Sequence, residues 1–240
     1  MANHDYDPLK ATLDKMAHVH KYNKLIYDTI RPFLGKTILE IGAGIGNISS
    51  LLKNSGEELL ILTDYKKDYV VQLTKKFNSD SRIKIMQLDI SHDSHIDDTT
   101  AVDSIVCINV LEHIHDDVSA LKNCNKLLCH KGKLILFVPA LRILYGSLDK
   151  SLGHYRRYTK KEVTEKLQIA GFEVISNRYF NIIGVFGWLL SAKILKKNMI
   201  PSSHLKLFEI ITFIAKLEKY VHPPFGLSVL AVGEKKGSRL

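Results

Sequence analysis

Five short runs rich in Ile, Leu and Val mark the first 140 residues: Thr37–Ile41, Leu59–Thr63, Ile83–Leu88, Ser104–Asn109 and Lys133–Val138. Gly, Asp or Asn bounds them, and helical stretches separate them. Near-continuous apolar runs of this length belong to strands buried on both faces, so the pattern predicts a parallel sheet with crossover helices. Helix ends are also readable. Gly46–Asn47 opens one that stops at Gly56, and Leu121 to Leu128 is apolar at helical spacing before Lys131–Gly132. Thr159 with Glu162 is a capping box for a helix ending at Ala170–Gly171. Phe172–Asn177 reads as a sixth strand and Gly226–Gly233 as the last, with a polar tail from Glu234. The expected fold class is α/β, a doubly wound, mostly parallel seven-stranded sheet with helices on both faces.

Between the last two strands lie roughly fifty residues, too many for a hairpin, so they must carry structure of their own. Ile182–Leu195 and Leu205–Tyr220 are apolar with Lys193, Lys196, Lys197, Lys206, Lys216 and Lys219 at intervals, which predicts two basic amphipathic helices joined across Pro201. The longest uncharged stretch, Tyr179 to Ala192, is 14 residues, short of the about 18 that a membrane span needs. The expected organisation is one domain over 1–240, with an N-terminal helical cap over 8–34 and a helical insert over about 182–222 as lid or interface.

Composition changes the picture mainly through charge. The net charge of +9 divides unevenly: residues 1–120 carry 13 Lys and Arg against 18 Asp and Glu, and residues 121–240 carry 21 against 7. The first half suits a ligand that is not strongly anionic. The second suits an acidic small molecule, an anionic membrane surface or nucleic acid, or is simply a solvated basic face. Cys107, Cys124 and Cys129 form neither a disulfide framework nor a zinc-type spacing, and the first 24 residues are polar, so a cytoplasmic setting is expected.

The sharpest local signal is Ile38-Leu39-Glu40-Ile41-Gly42-Ala43-Gly44-Ile45-Gly46-Asn47, directly after the first strand. A dinucleotide loop wants G-x-G-x-x-G; here the spacing is G-x-G-x-G, and Asn47 stands where the third glycine would be. Glu40, at the carboxyl end of a buried strand, is unfavourable there unless it is hydrogen-bonded or answers a positive ligand.

These residues strongly resemble motif I of the class I S-adenosylmethionine-dependent methyltransferases, and Asn109-Val110-Leu111-Glu112-His113-Ile114 is similar to the matching segment of ubiquinone-biosynthesis-type members. The resemblance extends to the type 11 and 12 methyltransferase superfamily. It implies a Rossmann-like fold, S-adenosyl-L-methionine as cofactor, and cofactor contacts from Glu40, Gly42, Ala43, Gly44, Gly46 and Asn47. It also implies Asp64 on the ribose with Tyr65 beside it, Asp89 and Ile90 at the adenine, and Asn109, Val110 and Leu111 along the fourth strand's end. A sulfonium and an ammonium suit an acidic site better than a pyrophosphate would.

Methyl transfer is an in-line displacement needing mainly positioning, so a base helps only with an acceptor such as a hydroxyl. His113 and His154 are the candidate catalytic residues, with a helix-start packing role for His113 as the open alternative. Gly153-His154-Tyr155-Arg156-Arg157-Tyr158 reads as an acceptor clamp, or else as a solvated loop with Arg packed on Tyr. Tyr22, Tyr145, His154, Arg157 and Tyr158 are the candidate substrate contacts. Adjacent Glu112 and His113 lack a third ligand in the sequence, so no metal is expected. The expected function is transfer to a small-molecule acceptor, most simply O-methylation of a hydroxyl, phenol or carboxylate in natural-product, quinone or glycolipid metabolism. An anionic or lipid-linked acceptor, peripheral membrane contact through the insert and a homodimer are all allowed. The alternative is an RNA methyltransferase using the basic half; DNA is not expected, because the Asn-Pro-Pro-aromatic tetrapeptide of base methylases is replaced by Asn109-Val110-Leu111-Glu112.

Overall fold

The computed structural model describes residues 8–92, 96, 100–189, 218 and 223–237. Strands β1 (Thr37–Ile41), β2 (Leu59–Asp64), β3 (Ile83–Gln87), β4 (Val102–Ile108), β5 (Leu128–Pro139), β6 (Phe172–Phe180) and β7 (Ser228–Lys235) form one sheet in the order β3-β2-β1-β4-β5-β7-β6. The first five run parallel, while β7 pairs antiparallel with both β5 and β6. This is the expected doubly wound, Rossmann-like sheet, with its chain reversal between β1 and β4. Ligands of open α/β sheets bind beyond the strand ends at such a reversal.

Period-2 alternation divides the strands' side chains between two cores. Leu39, Ile61, Ile105 and Leu136 pack on one face with Leu121 and Cys124 of α5 (Asp117–Leu127) and Val163 and Leu167 of α7 (Lys160–Ile169). Ile38, Leu60, Leu62, Val106 and Phe137 pack on the other with α2 (His20–Ile30), α3 (Ser49–Leu52) and α4 (Lys67–Phe77). Each central strand is buried on both sides, as its unbroken apolar run requires.

The structure corrects several boundaries. β4, β5 and β6 are longer than the sequence suggested, and β7 includes Glu234 and Lys235, which pair with β5 and β6 instead of starting a tail. The helix expected from Gly46–Asn47 shrinks to α3, because Gly46 has φ +77° and the loop must finish its turn first. α5 begins at Asp117, where Asp116 caps it by accepting from the Ser119 N–H. The capping box at Thr159 is present as read. α4 is the crossover helix expected between β2 and β3, though its bounds were not readable. The N-terminal segment forms α1 (Pro8–Ala17) and α2, and the insert begins as α8 (Ile182–Trp188). Apart from Leu189 and Glu218, the remainder of the two expected insert helices lies outside the described residues. Among the described residues no helix is long and apolar enough to cross a membrane.

Candidate active site

A cavity of about 660 Å³ opens over the carboxyl ends of β1, β2 and β4. Its floor is the glycine loop. Gly42 has φ +70°, and a Cβ there would lie 2.4 Å from the Val110 side chain, so only glycine lets the loop pass the β4 end. Leu13 of α1 rests against Gly44, and the Asn47 amide donates to the Leu13 carbonyl at 3.1 Å. The helix thus closes one side, through a contact at Leu13 that the sequence alone did not specify.

Three of the carboxylates that line this space lie near the glycine loop. Glu40 is buried and accepts from Ser49 Oγ at 2.5 Å; burial pushes its carboxyl up to about 8. Asp64 accepts from the Gly44 and Lys66 N–H groups, both at 2.9 Å, although burial still raises it above the usual carboxylate range. For Asp89, burial acts upward, but hydrogen bonds from Ser91 and the nearby His92 prevail and hold it below that range. Lys76 of α4 donates to the Ile45 and Gly46 carbonyls and braces the loop from behind.

At the far end, two separate segments meet. The turn after β4 and the loop after α6 (Ser147–Leu152) are joined by the Tyr155 N–H donating to the Glu112 carbonyl at 2.8 Å. The His113 and His154 rings consequently stand edge to face, 4.7 Å between centroids. His154 Nδ1 is 2.9 Å from Asp149 Oδ1, which also receives Arg157 Nε at 2.8 Å. Burial and the neighbouring His154 push His113 down to about 4, while burial raises Glu112 to about 7 against the pull of His154 and Arg157.

The cavity brings together Tyr22, Glu40, Gly42, Ala43, Gly44, Asn47, Asp64, Tyr65, Asp89, Ile90, Asn109, Val110, His113, His154 and Arg157. Gly46, Leu111, Tyr145 and Tyr158 do not line it. Gly46 faces Phe77 and Leu73 of α4, and Leu111 is core. Tyr145 donates its hydroxyl to the His154 carbonyl, and Tyr158 donates to the Leu111 carbonyl and Asp117. Both therefore shape the site from behind. Arg157, though lining the cavity, directs its guanidinium to Asp149 and the Ala140 carbonyl and stacks on Trp188 at 4.3 Å. Sequence reasoning missed Ser49, Asp149 and Lys76. Asp149 had one available signal, an acid five residues before a candidate histidine; the other two had none.

Residues 39–134 match the family model of a methyltransferase domain. A probable S-adenosylmethionine-dependent methyltransferase of Mycolicibacterium smegmatis is 27% identical over 145 residues, covering 58% of this chain and 53% of the relative. A ubiquinone biosynthesis O-methyltransferase of Aliivibrio fischeri is 19% identical over 142 residues, covering 57% and 56%. The chain thus spans about half the length of these curated relatives. Among solved structures, a complex between the Haloferax volcanii Trm112 methyltransferase activator and a putative methyltransferase superposes with a TM-score of 0.66 at 15% identity, covering 99% of this chain and 100% of that one. With motif, sheet order and cavity in agreement, residues 39–134 form a methyltransferase domain, and the chain is similar to the class I S-adenosylmethionine-dependent methyltransferases.

Proposed function

We propose that the chain methylates an oxygen atom of a small-molecule acceptor, with S-adenosylmethionine as donor. The observation that carries this reading is the continuity of one cavity from the glycine loop and its carboxylates to the Glu112, His113 and His154 cluster. When bound, the cofactor supplies an electrophilic methyl on a sulfonium and is left as a neutral thioether. In this reading Glu40 balances the positive methionyl end, Asp64 accepts from the ribose hydroxyls, and Asp89 lies at the adenine. His113 and His154 face the acceptor oxygen. α1 over Gly44 and α8 with Trp188 beside Arg157 exclude water from the reacting groups.

The acceptor class follows from the two imidazoles at that end, which can accept a hydrogen bond or proton from a phenol, hydroxyl or carboxylic acid. The whole chain acts as one catalytic unit, with 8–34 as cap and about 182–222 as lid. Its three free cysteines suit a reducing compartment. The test is methyl transfer to a panel of phenols, hydroxy acids and aliphatic alcohols, alongside calorimetry with S-adenosylhomocysteine. Turnover of an oxygen acceptor that falls at least tenfold in His154→Ala, with S-adenosylhomocysteine affinity intact, is expected. Failure of S-adenosylhomocysteine to bind the wild-type protein would overturn the reading.

A further inference from the structure

Glu112 is fully buried on the turn after β4, yet neither of its carboxylate oxygens has a hydrogen-bond partner. A buried carboxylate left this way is strongly unfavourable unless something positive answers it. One ligand atom each from Glu112, His113 and His154 lies within 4.8 Å of the others, and His154 Nε2 is 3.9 Å from Glu112 Oε1. The His154 imidazole is already fixed from behind by Asp149, 2.9 Å from its Nδ1, and the His113 ring stands edge to face against it at 4.7 Å. Holding one ring nitrogen in this way turns the other toward the cluster as a lone-pair donor, which is how proteins present histidine to a metal.

We propose that Glu112, His113 and His154 bind one divalent first-row transition ion, zinc by donor chemistry, and that this ion holds the acceptor oxygen. The inference rests on the methyl-transfer reading for what the ion does, though not for its binding. Two imidazoles and one carboxylate are the donor set of catalytic zinc and non-haem iron sites, which keep positions open for water or substrate. With bonds of about 2.0–2.2 Å, tetrahedral neighbours lie roughly 3.3–3.6 Å apart, so the 3.9 Å between His154 and Glu112 closes by a few tenths, and the trio, whose donor atoms lie within 4.8 Å of one another, closes by about an ångström at most. Charge agrees as well. Glu112 and Asp149 against Arg157 leave one net negative charge, so a dication makes the site singly positive and matched to an anionic oxygen. The ion would polarise the acceptor hydroxyl. As its proton leaves to water, the oxygen–methyl bond forms and the methyl–sulfur bond breaks, and the ion is unchanged. The sequence hid the site because its third ligand arrives from a separate loop.

The test uses untagged full-length protein, stripped with a chelator and titrated with Co²⁺, with Zn²⁺ added in competition. One equivalent per chain, with visible ligand-field bands that Zn²⁺ abolishes, is expected. Glu112→Gln and His154→Ala should each weaken binding at least about tenfold. No stoichiometric uptake by the wild-type protein, or unchanged affinity in both variants when circular dichroism shows them folded, overturns the proposal. The wild-type spectrum stands even if a variant fails to fold. S-adenosylhomocysteine is titrated in parallel into the stripped protein. If it fails to bind while cobalt does, the ion site is supported and the methyl-transfer reading falls.

Discussion

Two carboxylates at the strand ends make separable predictions at the scale of single residues. Asp64 ends β2 with its oxygens already accepting two backbone N–H bonds, so its side chain is oriented before any ligand arrives. Asp64→Ala should weaken S-adenosylhomocysteine binding by about 1.5–3 kcal/mol, the loss of a charge-assisted hydrogen bond, while the fold survives. Wild-type affinity in a folded variant, read by calorimetry, would remove the ribose assignment. Glu40 predicts a pH dependence. Burial pushes its carboxyl to about 8; the Ser49 hydroxyl and Lys76 oppose this, and Asp64 adds to it. Below that value the free protein holds the proton, whereas a bound cation favours the carboxylate, so binding must release it. Affinity should therefore rise as pH climbs from about 6 to 8, by up to tenfold per unit, and then level off. Calorimetry near pH 7 in buffers of different ionisation enthalpy should report proton release, and Glu40→Gln should abolish it. The sequence made both acids legible by their place after apolar runs. It could not reveal Ser49, since a serine two residues past Asn47 carries no pattern of its own.

Among the elements, α5, α7 and the loop after α6 are tied together by a single buried side chain. Asp117 accepts from Tyr158 Oη at 2.9 Å, Arg156 at 3.0 Å and Lys166 at 2.7 Å. Removing it leaves Tyr158 Oη only its longer bond to the Leu111 carbonyl and Arg156 only the His115 carbonyl, and takes the carboxylate from Lys166, so Asp117→Ala should destabilise the protein by about 1–3 kcal/mol. Urea unfolding should show the midpoint falling at constant slope; an unchanged midpoint would mean the network contributes nothing. Tyr158 shows why the clamp was only partly legible. Its position in a cationic, aromatic loop is equally compatible with touching a ligand or anchoring the loop, and only the fold decides that its hydroxyl turns inward to Asp117. The strands were readable because burial on both faces leaves an unbroken apolar signature, and Thr159 because a capping box is local. The bounds of α4 were not, since Lys66, Lys67, Lys75 and Lys76 mask the spaced Tyr69, Leu73 and Phe77 that bury it.

At the scale of the molecule, the cavity is the place where both core layers and the N-terminal cap converge. Its lining draws on α1, the glycine loop, the ends of β1, β2 and β4, the loop after α6, and α8. A ligand filling it bridges all of these elements at once, so its binding energy should appear as global stability as well as local ordering. At a hundredfold excess over its dissociation constant, S-adenosylhomocysteine should add about 2.7 kcal/mol. For a chain of this length that corresponds to a rise in melting temperature of roughly 5–11 °C. The cap supplies the discriminating detail. α1 has no fully buried residue and is held over Gly44 by Leu13 and the Asn47 bond, so in the free protein it belongs to the weakly protected end of the stability range. Hydrogen exchange should therefore slow most in α1 when S-adenosylhomocysteine is bound, with a smaller, uniform slowing in β1, β4 and β5. A thermal shift without added protection in α1 would mean the ligand enters without the cap closing over it, and the assignment of residues 8–34 as a cofactor cover would be lost.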